Sequence, residues 1–169
     1  ISGTKSGYKR IAGEMDITEG LKDSDNDIGA ADLQMEHEIR ASDLPKEVRE
    51  SNEFKTGTDI DVKANGELTV NGKTMDSPAI ESKNIGSNLP PKFRESQQIE
   101  PLTGKLSTIG ASGEDEIIVV VRQEYLSSLD KKIIDNVEDN VNKALVGIQK
   151  GNIPDEVNIE FITFRDLRE

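Results

Sequence analysis

Two short stretches carry residue types that can do metal-assisted chemistry: Thr58-Asp59-Ile60-Asp61-Val62 and, about twenty residues on, Ala79-Ile80-Glu81-Ser82-Lys83-Asn84. Side chains alternate between the faces of a strand, so Asp59 and Asp61 share one face while Ile60 and Val62 take the other. The same alternation separates Glu81 and Lys83 from Ile80 and Ser82. If the two strands pair, carboxylates and one ammonium converge beside an apolar layer. Such a grouping can hold a hard divalent cation and activate a water molecule.

Those side chains need a sheet to hold them, and the intervening sequence supplies one. Residues 53–62 alternate, Ala64-Asn65-Gly66 turns, Glu67–Val70 reads as a short strand, and Asn71-Gly72 turns again before a strand over 78–85. This meander brings 58–62 and 79–84 into one sheet. Upstream, Ala30, Ala31, Met35 and Ile39 recur at spacings near three and four, which predicts a helix over 30–49 broken near Pro45. Downstream, a helix is expected through Phe93, Gln97, Gln98 and Leu102, interrupted at Pro101. Ile117–Val121 reads as a strand buried on both faces. A helix capped by Ser127-Ser128 carries the stripe Leu129, Ile133, Val137, Val141, Leu145 and Ile148, ended by Gly151 and Pro154. Val157–Phe164 alternates as a last strand. The expected fold is α/β (α+β), ordered α-β-β-β-α-β-α-β around a mixed central sheet. Residues 1–29 read as a loosely structured lead-in with a short helix near 14–22, and residues 30–169 as the domain proper.

Composition bounds the chemistry. The chain has 169 residues, 33% of them apolar and 32% charged, with a net charge of -12. A chain this acidic repels phosphate backbones at long range and approaches nucleic acid only through a local basic patch or a metal. The same charge suits a partner with a basic face. Without cysteine there is no disulfide or thiolate zinc site, and a single histidine excludes the usual multi-histidine centres. Asp23-Ser-Asp25-Asn-Asp27 hints at a calcium loop, but Ile28 stands where the sixth-position Gly belongs and Gln34 where the twelfth-position Glu belongs. The opening ISGTKSGYKR, beginning on Ile, reads as the inside of a longer polypeptide or as the product of processing.

An acid-x-Lys triplet is common in so charged a chain. Four occur, at Glu53-x-Lys55, Asp61-x-Lys63, Glu81-x-Lys83 and Asp130-x-Lys132. Only Glu81-x-Lys83 lies on a strand of its own, follows an Asp-bearing strand, and precedes a helix and a Val-rich strand.

Asp59-Ile-Asp61-Val and Ile80-Glu81-Ser-Lys83-Asn84, in that order and spacing, resemble the PD-(D/E)xK nuclease superfamily. More narrowly, they look like the restriction-endonuclease-like toxin domains that end contact-dependent growth inhibition and Rhs-type polymorphic toxins. The resemblance covers roughly residues 30 to 125. It departs from the pattern at Ser82, where an apolar residue is usual, and no Pro precedes Asp59 or Asp61. It implies hydrolysis of DNA or tRNA phosphodiesters with Mg²⁺ or Mn²⁺, Asp59, Asp61 and Glu81 being the metal ligands and either aspartate the principal one. Lys83 would then position or activate water. An acid on the helix before the Asp strand, Glu38 in preference to Glu36, would complete the catalytic set. Lys92, Arg94, Gln97 and Arg122 would bind substrate, with Lys105 and Gln98 as further contacts and His37 as a possible proton shuttle. The resemblance also implies a cognate immunity protein, delivery from the cell surface as part of a larger protein, and action in the target-cell cytoplasm. The alternative is a non-catalytic acidic interaction module of a secreted or phage protein.

Overall fold

The structure is a computed structural model that describes residues 17, 21, 33–40, 42, 44, 46, 58–83, 99–121, 131–146, 153–164 and 166, the side chains of 36, 37 and 131–135 excepted. The described residues form a mixed α/β unit. Its strands are β1 (Leu33–Ile39), β2 (Thr58–Ala64), β3 (Glu67–Val70), β4 (Lys73–Asp76), β5 (Ala79–Ser82), β6 (Glu116–Val121) and β7 (Asn158–Thr163). Helix α1 (Glu100–Ala111) joins β5 to β6, and helix α2 (Lys131–Val146) lies between β6 and β7. The main sheet runs β1-β2-β5-β6-β7, antiparallel from β1 to β5 and parallel from β5 to β7. It is the mixed sheet that the sequence predicts. Among the described residues no helix is long and apolar enough to cross a membrane.

The chain between β2 and β5 folds as a separate two-stranded ribbon, β3-β4. Asn71 and Gly72 both have positive φ, the pair of left-handed residues that a two-residue hairpin turn requires. Strand β4 has no counterpart in the sequence reading, because Lys73–Asp76 carries a single apolar residue, Met75, which is buried under the sheet.

One face of the sheet packs against α1 and α2 through Leu102, Leu106, Ile109, Val137, Val141 and Leu145, which meet Ile117, Val119, Val121, Ile159 and Phe161. The opposite face carries Val62, Ala64, Ile80, Ile118, Val120 and Ile162, covered by Leu68, Val70 and Met75 of the ribbon. Ile17 and Leu21 are helical and fully buried in this second cluster, so apolar residues of the stretch read as a lead-in add to its core. Because β6 is lined by both clusters, its run of five apolar residues is accounted for.

Two expectations are corrected. The segment read as a helix over 30–49 contains strand β1, paired antiparallel with β2. Apolar positions 31, 35 and 39 satisfy a four-residue spacing, but a spacing of four is also twice the strand period. Gln34 and Glu38 alternating with Leu33, Met35 and Ile39 show the period of two. Pro101, expected to interrupt a helix, instead sits in the first turn of α1, where its missing N–H costs nothing.

Helices α1 and α2 approach closely at Gly110. A Cβ there would lie 2.8 Å from Leu145 Cδ1 and 3.2 Å from Val157 Cγ2. Gly110→Ala gains about 1 kcal/mol of helix propensity against that crowding and is expected to leave stability within about 1 kcal/mol of the parent. Gly110→Val forces two more methyl groups into the same contact and is expected to cost about 2–3 kcal/mol in urea unfolding. Equal stability of the Val variant and the parent would mean that the helices are not packed this way.

Helix α2 also shields the sheet's β7 edge. Asn142 receives the Val157 N–H on Oδ1 at 2.8 Å and donates from Nδ2 to the Val157 carbonyl at 3.0 Å, while Glu138 Oε2 accepts the Ile159 N–H at 2.9 Å. Side chains thereby take outward-facing strand groups that would otherwise invite pairing with another chain.

Candidate active site

Strands β2 and β5 pair in register at Val62↔Ile80 and Lys63↔Ala79. One position further along, carboxylates take the backbone amides. The Asp61 N–H donates to Glu81 Oε1 at 3.1 Å, and the Ser82 N–H donates to Asp61 Oδ2 at 2.9 Å. Each acid thus anchors the other's strand, which locks both carboxyl groups side by side. Asp61 is 3% exposed and Glu81 2%.

The oxygens left over point to a common place. Lys105, from α1, puts its Nζ 2.7 Å from Glu81 Oε2 and 3.9 Å from Asp61 Oδ1. Burial pushes the Glu81 carboxyl up to about 8; the neighbouring charge of Asp61 adds to the rise, and Lys105 opposes it. Burial by itself would lower the Lys105 ammonium, but the charges of Glu81 and Asp61, the bond to Glu81 and the field of Asp59 together hold it above the ordinary lysine value.

Lys83 follows Glu81 by two residues, so strand alternation sends both side chains to one face. Its N–H donates to the Val120 carbonyl at 2.9 Å, fixing it beside β6. Burial lowers the Lys83 ammonium, and the like charge of Lys105 lowers it further, against the pull of Glu81 and Asp61. Among the described residues it forms no salt bridge. The Lys of the competing triplet, Lys63, is tied instead to Glu114 Oε2 at 2.6 Å and to the Ser77 carbonyl, where it fastens the turn before β5.

Three of the expected site residues, Asp61, Glu81 and Lys83, therefore come together. Asp59 is half-buried and its charge reaches Lys105, yet among the described residues no three acids or imidazoles gather closely enough to hold a metal ion. Glu38 stands on a strand rather than a helix. It lies opposite Asp59 in the β1–β2 register, and its side chain, 64% exposed, meets Arg40 Nε at 3.6 Å. Lys92, Arg94, Gln97, Gln98 and Arg122 lie outside the described residues, as do the side chains of Glu36 and His37. Lys105, expected to touch substrate, is the counter-ion of the acid pair; its place on a helix with no marked register hid that role.

The donor set suits a small hard cation. Asp61 Oδ1 and Glu81 Oε2 are converging carboxylate oxygens, and Mg²⁺ is commonly held by one or two carboxylates together with waters and substrate phosphate. Two buried acids beside one close ammonium also leave a surplus of potential negative charge that a divalent ion would offset. Comparison with protein-family models, with curated proteins and with solved structures returns no match for this chain.

Proposed function

We propose that this chain is a metal-dependent nuclease of the PD-(D/E)xK type that hydrolyses phosphodiester bonds of DNA or tRNA. The observation that carries the reading is the interlocked pair Asp61 and Glu81 on neighbouring strands, with Lys83 two residues beyond Glu81 and a helix and parallel strand following. A restriction-endonuclease-like topology for the β2-β5-α1-β6-α2-β7 portion belongs to the same proposal.

In this reading Asp61 and Glu81 hold Mg²⁺ or Mn²⁺, which when bound polarises the phosphate and eases deprotonation of water. Lys83 hydrogen-bonds the attacking water and counters the charge that develops on the phosphoryl oxygens. Its lowered proton affinity suits an ammonium that must exchange hydrogen bonds during the reaction rather than stay locked in an ion pair. Water oxygen bonds to phosphorus as the ester P–O bond breaks; the attacking water gives a proton to solvent, and the departing alkoxide takes one from a solvent water to leave as the alcohol. The net charge of -12 agrees with a toxin domain neutralised by an immunity protein with a basic face, delivered within a larger protein and acting in the target-cell cytoplasm.

Plasmid DNA and total tRNA incubated with the protein and Mg²⁺, Mn²⁺ or chelator should show cleavage of one of them only when metal is present. Lys83→Met should slow it by on the order of 10²–10³-fold, the range for loss of one group stabilising developing charge. The second reading, a non-catalytic acidic interaction module, is favoured by the internal neutralisation of the acid pair by Lys105. It requires no cleavage of either substrate and no rise in Tm with millimolar Mn²⁺.

A further inference from the structure

The acid pair already has a cation. Each carboxylate gives one oxygen to a backbone N–H and turns the other toward Lys105 Nζ. Those two remaining oxygens are the ones a bridging ion would need. A lysine ammonium 2.7 Å from one and 3.9 Å from the other stands in the volume between them, and two cations cannot share that volume without strong repulsion. The Lys105 side chain is 32% exposed, while its acidic partners are almost wholly buried, so it has a route outward and they have none.

We infer that Lys105 is a built-in counter-ion that occupies the cation position between Asp61 Oδ1 and Glu81 Oε2 and swings out when a divalent ion takes its place. The inference rests on the proposed metal site and adds a control to it. Without metal, Lys105 keeps two buried acids from facing each other uncompensated. With metal, the freed ammonium stands at the rim of the same site, where it can meet a phosphate. The exchange makes occupancy by metal compete with an internal ion pair, so the site binds the ion with a lower apparent affinity than the bare acid pair would.

The test is chemical labelling of lysines in the full chain by an N-hydroxysuccinimide ester, with peptides resolved by mass spectrometry, without and with Mn²⁺. Lys105 should react slowly in chelator and on the order of tenfold faster at saturating Mn²⁺, since freeing an amine from a buried ion pair raises its reactive fraction. Lys63, held by Glu114, serves as the unchanged reference. In parallel, Mn²⁺ affinity is measured by calorimetry. Lys105→Met should bind about tenfold tighter or more, because a competing charge is gone, and should show a lower Tm in chelator that Mn²⁺ restores. Lys105→Arg, which keeps the charge, should bind no tighter than the parent. If Mn²⁺ binds but leaves Lys105 labelling unchanged, or if Lys105→Met binds no tighter, displacement is wrong and the metal site stands. If Mn²⁺ binds neither protein, both the displacement and the metal site fall.

Discussion

Asp61→Asn is expected to lower metal-dependent cleavage by on the order of 10³-fold, about 4 kcal/mol of lost transition-state stabilisation, while leaving the fold intact. The amide oxygen can still accept the Ser82 N–H that Asp61 Oδ2 receives at 2.9 Å, so the β2–β5 junction keeps its anchor. What disappears is one negative charge of the pair that faces Lys105. Glu81, relieved of the like charge beside it, should titrate closer to an ordinary carboxyl. Stability of the metal-free variant should stay within about 1.5 kcal/mol of the parent, since a satisfied buried hydrogen bond is retained. Rates of plasmid nicking and tRNA cleavage, read beside a thermal melt, separate the two effects. Parental cleavage by a folded Asp61→Asn protein would remove Asp61 from the chemistry, and with it the metal site.

The second large effect concerns pH. In the metal-free protein, the free energy of unfolding should fall as pH rises from about 5 to 8, and Glu81→Gln should remove most of that fall. Folded Glu81 titrates at about 8 against 4.5 for an unperturbed glutamate. Between those values the native state keeps a proton that the unfolded chain has released, so raising the pH favours unfolding. The contribution is present in full below the unfolded value and is lost as the pH climbs through the folded one. At about 1.4 kcal/mol per factor of ten in proton affinity, the change is a few kcal/mol across the window. Lys105, held above the ordinary lysine value, contributes stability that is lost only at more alkaline pH. Urea unfolding of parent and Glu81→Gln in chelator at pH 5, 6, 7 and 8 gives both slopes. Parallel slopes would show that Glu81 is not held protonated by burial.

The central acids were legible because their pattern is local. Two strands with alternating acids, turn signals between them and a Val-rich strand beyond are consequences of periodicity and turn chemistry, and β2, β5, β6, α2 and β7 lie where those rules put them, whereas the separate β3-β4 ribbon does not follow from them. Strand β1 was misread because positions 31, 35 and 39 fit both a helical and a strand repeat. Its pairing with β2, a contact across about twenty residues of chain, decides between them. Asp59 enters the expected ligand set because alternation places it on Asp61's face, and its charge reaches Lys105, the partner of the acid pair.

Sequence by itself determined the alphabet of the site: oxygen donors without sulfur, a single histidine, an Asp strand followed by a Glu-x-Lys strand, and a core built from Ile, Val and Leu. Tertiary structure alone decided which of those charges meet. The end of the β2–β5 ladder turns two carboxylates inward and satisfies each with the other strand's amide. The packing of α1 then brings Lys105 to them from more than twenty residues away. Such a contact depends on how a helix is rotated against a sheet, and no local repeat in the chain encodes that angle. It follows from which apolar side chains, Leu102, Leu106 and Ile109, seat the helix on the core.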